Sequence, residues 1–186
     1  MILPIVAYGD PVLKKEGEEI DLKHPDLDNI IENIFETMYA AHGVGLAAPQ
    51  IGLSIRLFVI DADPFKDEHP ELEGYKKVFI NPRIIEENGE KWMFNEGCLS
   101  IPTIREDVER KPDIVIEYYN EKHELVEEGF TGIPARIIQH EYDHVDGILF
   151  TDRINPLRKR LLKGKLSDIS KGKVDVDYKM KFPNVK

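Results

Sequence analysis

Cysteine is nearly absent: Cys98 is the single thiol in 186 residues. One thiol cannot close an internal disulfide, so a disulfide-stapled secreted domain is excluded. Long apolar runs are also missing, and no stretch approaches the length needed to cross a bilayer. The opening Met1-Ile2-Leu3-Pro4-Ile5-Val6-Ala7-Tyr8-Gly9-Asp10 lacks a basic start, and its apolar run is too short for a signal peptide. Positive charge is scarce: 25 Lys and Arg stand against 35 Asp and Glu, a net charge of -10. That balance disfavours a broad nucleic-acid footprint, which needs a basic face to neutralise phosphates. One local exception, Arg158-Lys159-Arg160 with Lys163 and Lys165, reads first as a solvated helix face and second as a contact for an acidic partner. Repeats, low-complexity tracts and interdomain linkers are lacking as well. The expectation is one domain over residues 1–186, soluble in a reducing cytoplasm.

What is present falls into four regions. Residues 25–42 predict an amphipathic helix, with Leu27, Ile30, Ile31, Ile34, Met38 and Ala41 at helical spacing. Gly43 sits where a left-handed residue would end it. The segment from Gly43 to Gly52 holds three glycines and a proline, a backbone able to turn tightly and lie close to a ligand. Strand-like runs follow at residues 56–60, 77–81, 91–94, 113–119 and 122–130, with a hairpin turn at Asn120-Glu121. Residues 134–146 predict a second helix, with Pro134 in its first turn and Gly147 at its end. A third begins near Asn155-Pro156 and carries Leu157, Leu161 and Leu162 inward. Strands first and the key helix late, without β-α alternation, predict an α+β fold.

The sharpest motif is His140-Glu141-Tyr142-Asp143-His144. Positions i and i+4 share a helix face, so both imidazoles reach one metal ion. Glu141 sits beside them, placed to work on water as a general base rather than as a ligand. A chance pair of surface histidines is the plain alternative. A catalytic site of this type takes three protein ligands and leaves a position for water. No histidine follows His144 and no glutamate follows Glu141, so a downstream third ligand of either kind is excluded. Asp152, Asp168, Asp175 and Asp177 remain, and upstream there is Cys98 in Asn95-Glu96-Gly97-Cys98-Leu99-Ser100. A free cysteine is more often a small core residue than a ligand, but the two-histidine motif needs a partner.

Three segments carry a resemblance. Gly43-Val44-Gly45-Leu46-Ala47-Ala48-Pro49-Gln50, Glu96-Gly97-Cys98-Leu99-Ser100 and Gln139-His140-Glu141-Tyr142-Asp143-His144 resemble, in order, the three signature motifs of peptide deformylases. Leu13 after Asp10-Pro11-Val12, and Leu149-Phe150-Thr151-Asp152-Arg153, are similar to the family too. The resemblance implies that Cys98, His140 and His144 hold one divalent metal ion, and that antiparallel strands pack around the histidine-bearing helix, flanked by an N-terminal and a C-terminal helix. It implies Fe(II) in the cell, with Zn(II), Ni(II) or Co(II) able to occupy the site. Thiolate ligation suits these ions. Asp152-Arg153 then reads as a structural ion pair.

The implied reaction removes the formyl group from N-formylmethionyl peptides and nascent chains and releases formate. A metal lowers the pKa of water towards about 7. Glu141 takes the water proton and passes it to the leaving amine. By resemblance, the Gln50 amide and the Leu99 backbone N–H donate to the developing oxyanion. The stretch Gly43–Leu46, with Val44 and Gly45, suits a peptide laid alongside as an added strand. Val44, Phe94, Ile133 and Ile137 are candidates for the methionine pocket, and core packing is their other role. Glu96 and Arg110 match family positions that pair, and Arg105 matches one near the peptide backbone. Arg136 departs from the apolar residue of many relatives and leaves the pocket rim open. A transient ribosome contact through 158–165 completes the expected partners, with no membrane and no sequence-specific nucleic acid among them.

Overall fold

The computed structural model describes residues 1–185. In chain order the regular elements are β1 (Ile5–Val6), α1 (Leu27–Ala40), β2 (Gly45–Ala47), β3 (Leu57–Asp61), β4 (Lys76–Asn88), β5 (Trp92–Cys98), β6 (Ile101–Arg110), β7 (Asp113–Tyr119), β8 (Leu125–Phe130), α2 (Gly132–Val145), α3 (Pro156–Ser170) and β9 (Met180–Lys181). The α+β expectation holds. Strands β2-β3-β4-β7-β8 form a five-stranded antiparallel sheet, β5 and β6 a separate hairpin, and β1 pairs with β9 in parallel.

The sheet is two-sided because successive residues of β3 point to opposite faces. Phe58 and Ile60 pack with Phe79, Ile116 and α2 residues Ala135, Ile138 and Val145. Leu57 and Val59 pack on the other face with α1 residues Ile34 and Met38. A third cluster joins Ile104 and Val108 of β6 to Phe150 and α3 residues Leu162, Leu166 and Ile169. Helix α2 therefore lies between the sheet and the hairpin, with its side chains reaching both.

Several local expectations need correction. The left-handed residue ending α1 is His42, at φ 57°, not Gly43. Gly43 N–H bonds Met38 O at 3.0 Å and His42 N–H bonds Tyr39 O at 3.1 Å, the paired closure of a Schellman cap. Gly43 instead leaves room for Leu99: a Cβ there would stand 2.7 Å from Leu99 Cδ1, so that side-chain tip would have to shift. On α3, Leu157 and Leu161 are exposed, at 63% and 64%. The buried stripe is Leu162, Leu166 and Ile169, the i, i+4, i+7 face. Strand β6 escaped the sequence pattern because its inward positions alternate apolar with charged: Ile104 and Val108, but also Glu106 and Arg110. Strand β4 runs on to Asn88 through two register shifts, one between Ile80 and Arg83 that spans Pro82 and one between Ile84 and Glu86; the first accommodates a missing N–H.

Candidate metal centre

His140 and His144 sit one turn apart on α2, with ring centroids 5.3 Å apart. Cys98 ends β5, immediately before the Leu99-Ser100 turn that leads into β6. Its Sγ lies 3.4 Å from His144 Nε2. One donor atom from each of Cys98, His140 and His144 falls within 4.8 Å of the others. Sequence reasoning left four downstream aspartates open, and the fold separates them from this cluster. Asp152 pairs with Lys14 and, at 2.7 Å, with Lys159. Asp175 and Asp177 line the neighbouring cavity without joining the donor set, and Asp168 lies on α3.

The residues around the three donors fit a cation. His140 Nδ1 lies 2.9 Å from Glu96 Oε1. Glu96 as a carboxylate only accepts, so Nδ1 carries a proton and Nε2 is the ring atom left to face the cluster. Burial opposes charge on His140, yet Cys98, Glu96 and Glu141 raise its pKa well above the usual range. That attraction for positive charge is what a metal ion would satisfy. Burial, then the His140 and Arg110 charges, push His144 well below its usual range, leaving it neutral and able to ligate. Burial lifts Glu141 to about 7. Its Oε2 is buried without a hydrogen-bond partner among the described residues.

Behind His140 lies a buried ionic network. Arg110 grips Glu96 in a fork at 2.8 and 2.9 Å and also reaches Asp143 at 2.8 Å. Arg153 binds Asp143 at 2.7 Å. The expected Asp152–Arg153 pair is thus not formed: each residue is ion-paired, but with different partners. Burial opposes ionisation of Glu96, but its bonds to His140 and Arg110 hold it far below the usual carboxylate range. Arg136 is 2% exposed and borders the cavity from within the fold. It donates to Glu96 at 3.1 Å, Val108 O at 2.9 Å and Trp92 O at 2.7 Å, with its guanidinium over the Trp92 ring.

Gln50 is 1% exposed. Its Oε1 accepts from Ala47 N–H at 3.0 Å, which turns Nε2 towards Ser100 Oγ at 3.2 Å and Cys98 Sγ at 3.5 Å. Glu141 lies against β2, where a Cβ on Gly45 would stand 2.8 Å from its Oε1. A cavity of about 730 Å³ opens on the cluster and is lined by Val44, Gly45, Phe94, Arg105 and Ile137, together with Gln50, Cys98, Leu99, His140 and Glu141. Ile133 does not line it and packs against the core around Phe79. Arg105 bonds Asn95 Oδ1 at 2.7 Å and Asn95 O at 3.0 Å. Sequence reasoning missed Tyr178, whose hydroxyl donates to Leu99 O at 2.7 Å from the cavity wall. A lone tyrosine in a charged segment beyond the last helix carries no pattern that would have found it.

Residues 2–160 match the sequence profile of the polypeptide deformylase family. A peptide deformylase from Christiangramia forsetii is 59% identical over 193 aligned positions, covering 100% of this chain and 98% of the relative. One from Flavobacterium johnsoniae is 55% identical with the same coverage. The crystal structure of the Thermotoga maritima peptide deformylase superposes with a TM-score of 0.75 at 41% identity, covering 84% of this chain and 99% of that one. The Legionella pneumophila peptide deformylase gives 0.81 at 34%, covering 93% and 98%. The chain belongs to the peptide deformylase family, enzymes that remove the formyl group from peptide N-termini.

Proposed function

We propose that this chain hydrolyses the formamide of N-formylmethionyl peptides and nascent chains in the cytoplasm, using one divalent ion held by Cys98, His140 and His144. The reading rests on one observation: a sulfur and two imidazoles converge, and Cys98 and His140 line one cavity with Glu141, whose buried Oε2 lacks a partner among the described residues. The ion supplies Lewis acidity and brings a water to nucleophilic strength near neutral pH. The donor set suits Fe(II) in the cell and accepts Zn(II), Ni(II) or Co(II).

Glu141 is the general base and then the acid. Its elevated pKa, about 7, lets it both take the water proton and give it to the leaving nitrogen. Gln50 Nε2 is aimed towards Cys98 by the bond its oxygen accepts from Ala47, the place for a donor to the formyl oxygen. Among the described residues no hydrogen bond engages the Leu99 N–H, which serves as the second donor. Among the described residues strand β2 pairs only with β3, so its other edge accepts an extended peptide as an added strand. Val44, Phe94 and Ile137 wall the methionine side chain, and Arg105 faces the peptide beyond it. No helix among the described residues is long and apolar enough to cross a membrane. Arg158 and Lys159 are engaged with Glu106 and Asp152, so a ribosome contact through 158–165 would rest on Arg160, Lys163 and Lys165.

Formate release from formyl-Met-Ala-Ser, measured on the iron-loaded wild type and on Glu141→Gln, tests this reading. The variant keeps its metal and loses turnover by at least about 100-fold, the scale of a lost proton-transfer group. Full activity in the variant, or no formate from the wild type, overturns it.

A further inference from the structure

We propose that Tyr178 is a positioning residue for this reaction, holding the Leu99-Ser100 turn so that the Leu99 N–H points at the formyl oxygen. The inference rests on the role given to Leu99 above and adds a residue from outside the family profile, which ends at residue 160.

Leu99 lies between the thiolate ligand and a turn pinned at three points. Tyr178 Oη donates to Leu99 O at 2.7 Å. Tyr8 N–H donates to Ser100 O at 2.8 Å. Gln50 Nε2 donates to Ser100 Oγ at 3.2 Å. The Cys98–Leu99 peptide, which carries the N–H in question, therefore has one end tied to the metal cluster and the other to this anchored turn. Two soft dihedrals at Leu99 separate the anchored carbonyl from that N–H. Fixing the carbonyl plane removes most of their freedom, and an aligned donor is worth most when it need not reorganise during the reaction.

The tyrosine is itself held. Ile5 N–H bonds Lys179 O at 2.9 Å and Ala7 N–H bonds Lys181 O at 2.9 Å, on either side of β9 residue Met180, which packs into two core clusters. Asn184 N–H bonds Ser170 O at 2.9 Å. The segment 175–178 is thus a built wall of the cavity, sharing it with Cys98 and His140.

Tyr178→Phe keeps the ring and removes the donation. One hydrogen bond of ordinary strength corresponds to about a fivefold effect. The expected result is a kcat about fivefold lower, with KM and bound iron unchanged. Hydrogen exchange supplies a readout independent of turnover. The Tyr8 amide, bonded to Ser100 O, should exchange about fivefold faster, while the Ile5 amide, bonded to Lys179 O, should not change. Unchanged kcat overturns the inference, as does equal acceleration of Ile5 and Tyr8, which would mark a detached tail instead of a loosened turn. A wild type that releases no formate defeats the functional reading, and the Tyr8 exchange still decides whether Tyr178 orders the turn.

Discussion

Helix α2 meets the five-stranded sheet through Ala135, Ile138 and Val145, and meets the β5–β6 hairpin through Arg136, His140 and Asp143. The first contact is apolar and non-directional. The second is a set of charge-assisted bonds centred on Glu96, 4% exposed, which accepts from Arg110, Arg136 and His140. Apolar burial holds α2 onto the fold, but it tolerates small rotations. The ionic side does not, because forked guanidinium–carboxylate bonds fix direction as well as distance. A metal ligand needs that second kind of support, and His140 receives it.

The contrast is broken most severely at its centre. Glu96→Ala leaves Arg136 buried with only the carbonyls of Val108 and Trp92, and Arg110 with only Asp143. Removing one partner of such a buried pair costs about 3–5 kcal/mol. Loss of the His140 support should weaken metal binding by about 10- to 100-fold. Urea unfolding and metal titration read the two effects, and unchanged metal affinity would refute the division of labour. Phe79→Ala on the sheet side should cost about 3–5 kcal/mol through a cavity. Here the molecules that remain folded keep wild-type metal affinity, since Phe79 touches only the apolar cluster.

The smallest effect is at the periphery. Burial opposes ionisation of Asp152, but its bonds to Lys14, Lys159 and Leu149 N–H lower its pKa to about 2. Its contribution is therefore complete above the usual carboxylate pKa and is lost as the pH falls towards about 2. Asp152→Asn should flatten the stability–pH curve in that acid window only, by no more than about 1 kcal/mol per exposed pair. A change in metal retention at neutral pH would show that this pair belongs to the network after all.

The same division explains what the sequence disclosed. Strand β7 was legible because Ile114, Ile116 and Tyr118 alternate on a half-buried surface, and α2 because its histidines repeat at one helical turn. Strand β6 was hidden because Arg110 faces inward, where an apolar residue is expected. The place of Arg136 stayed open for the same reason: its partner Glu96 is brought to it from 40 residues away. The third metal ligand stayed open among five residues until a family likeness singled out Cys98, and the fold then set its sulfur beside the imidazoles. Tyr178 reaches Leu99 across 79 residues, a separation that local patterning does not read.

The parallel pairing of β1 with β9 ties Ile5 to Met180, and so sets an order of assembly. Chains emerge from the N-terminal end and fold as they emerge. Ile5 and Val6 must wait, without their strand partner, until Met180 and Lys181 have been made. The latch closes only after β9 has been made, so the cavity wall at residues 175–178 is set after α2 and its imidazoles are already in place.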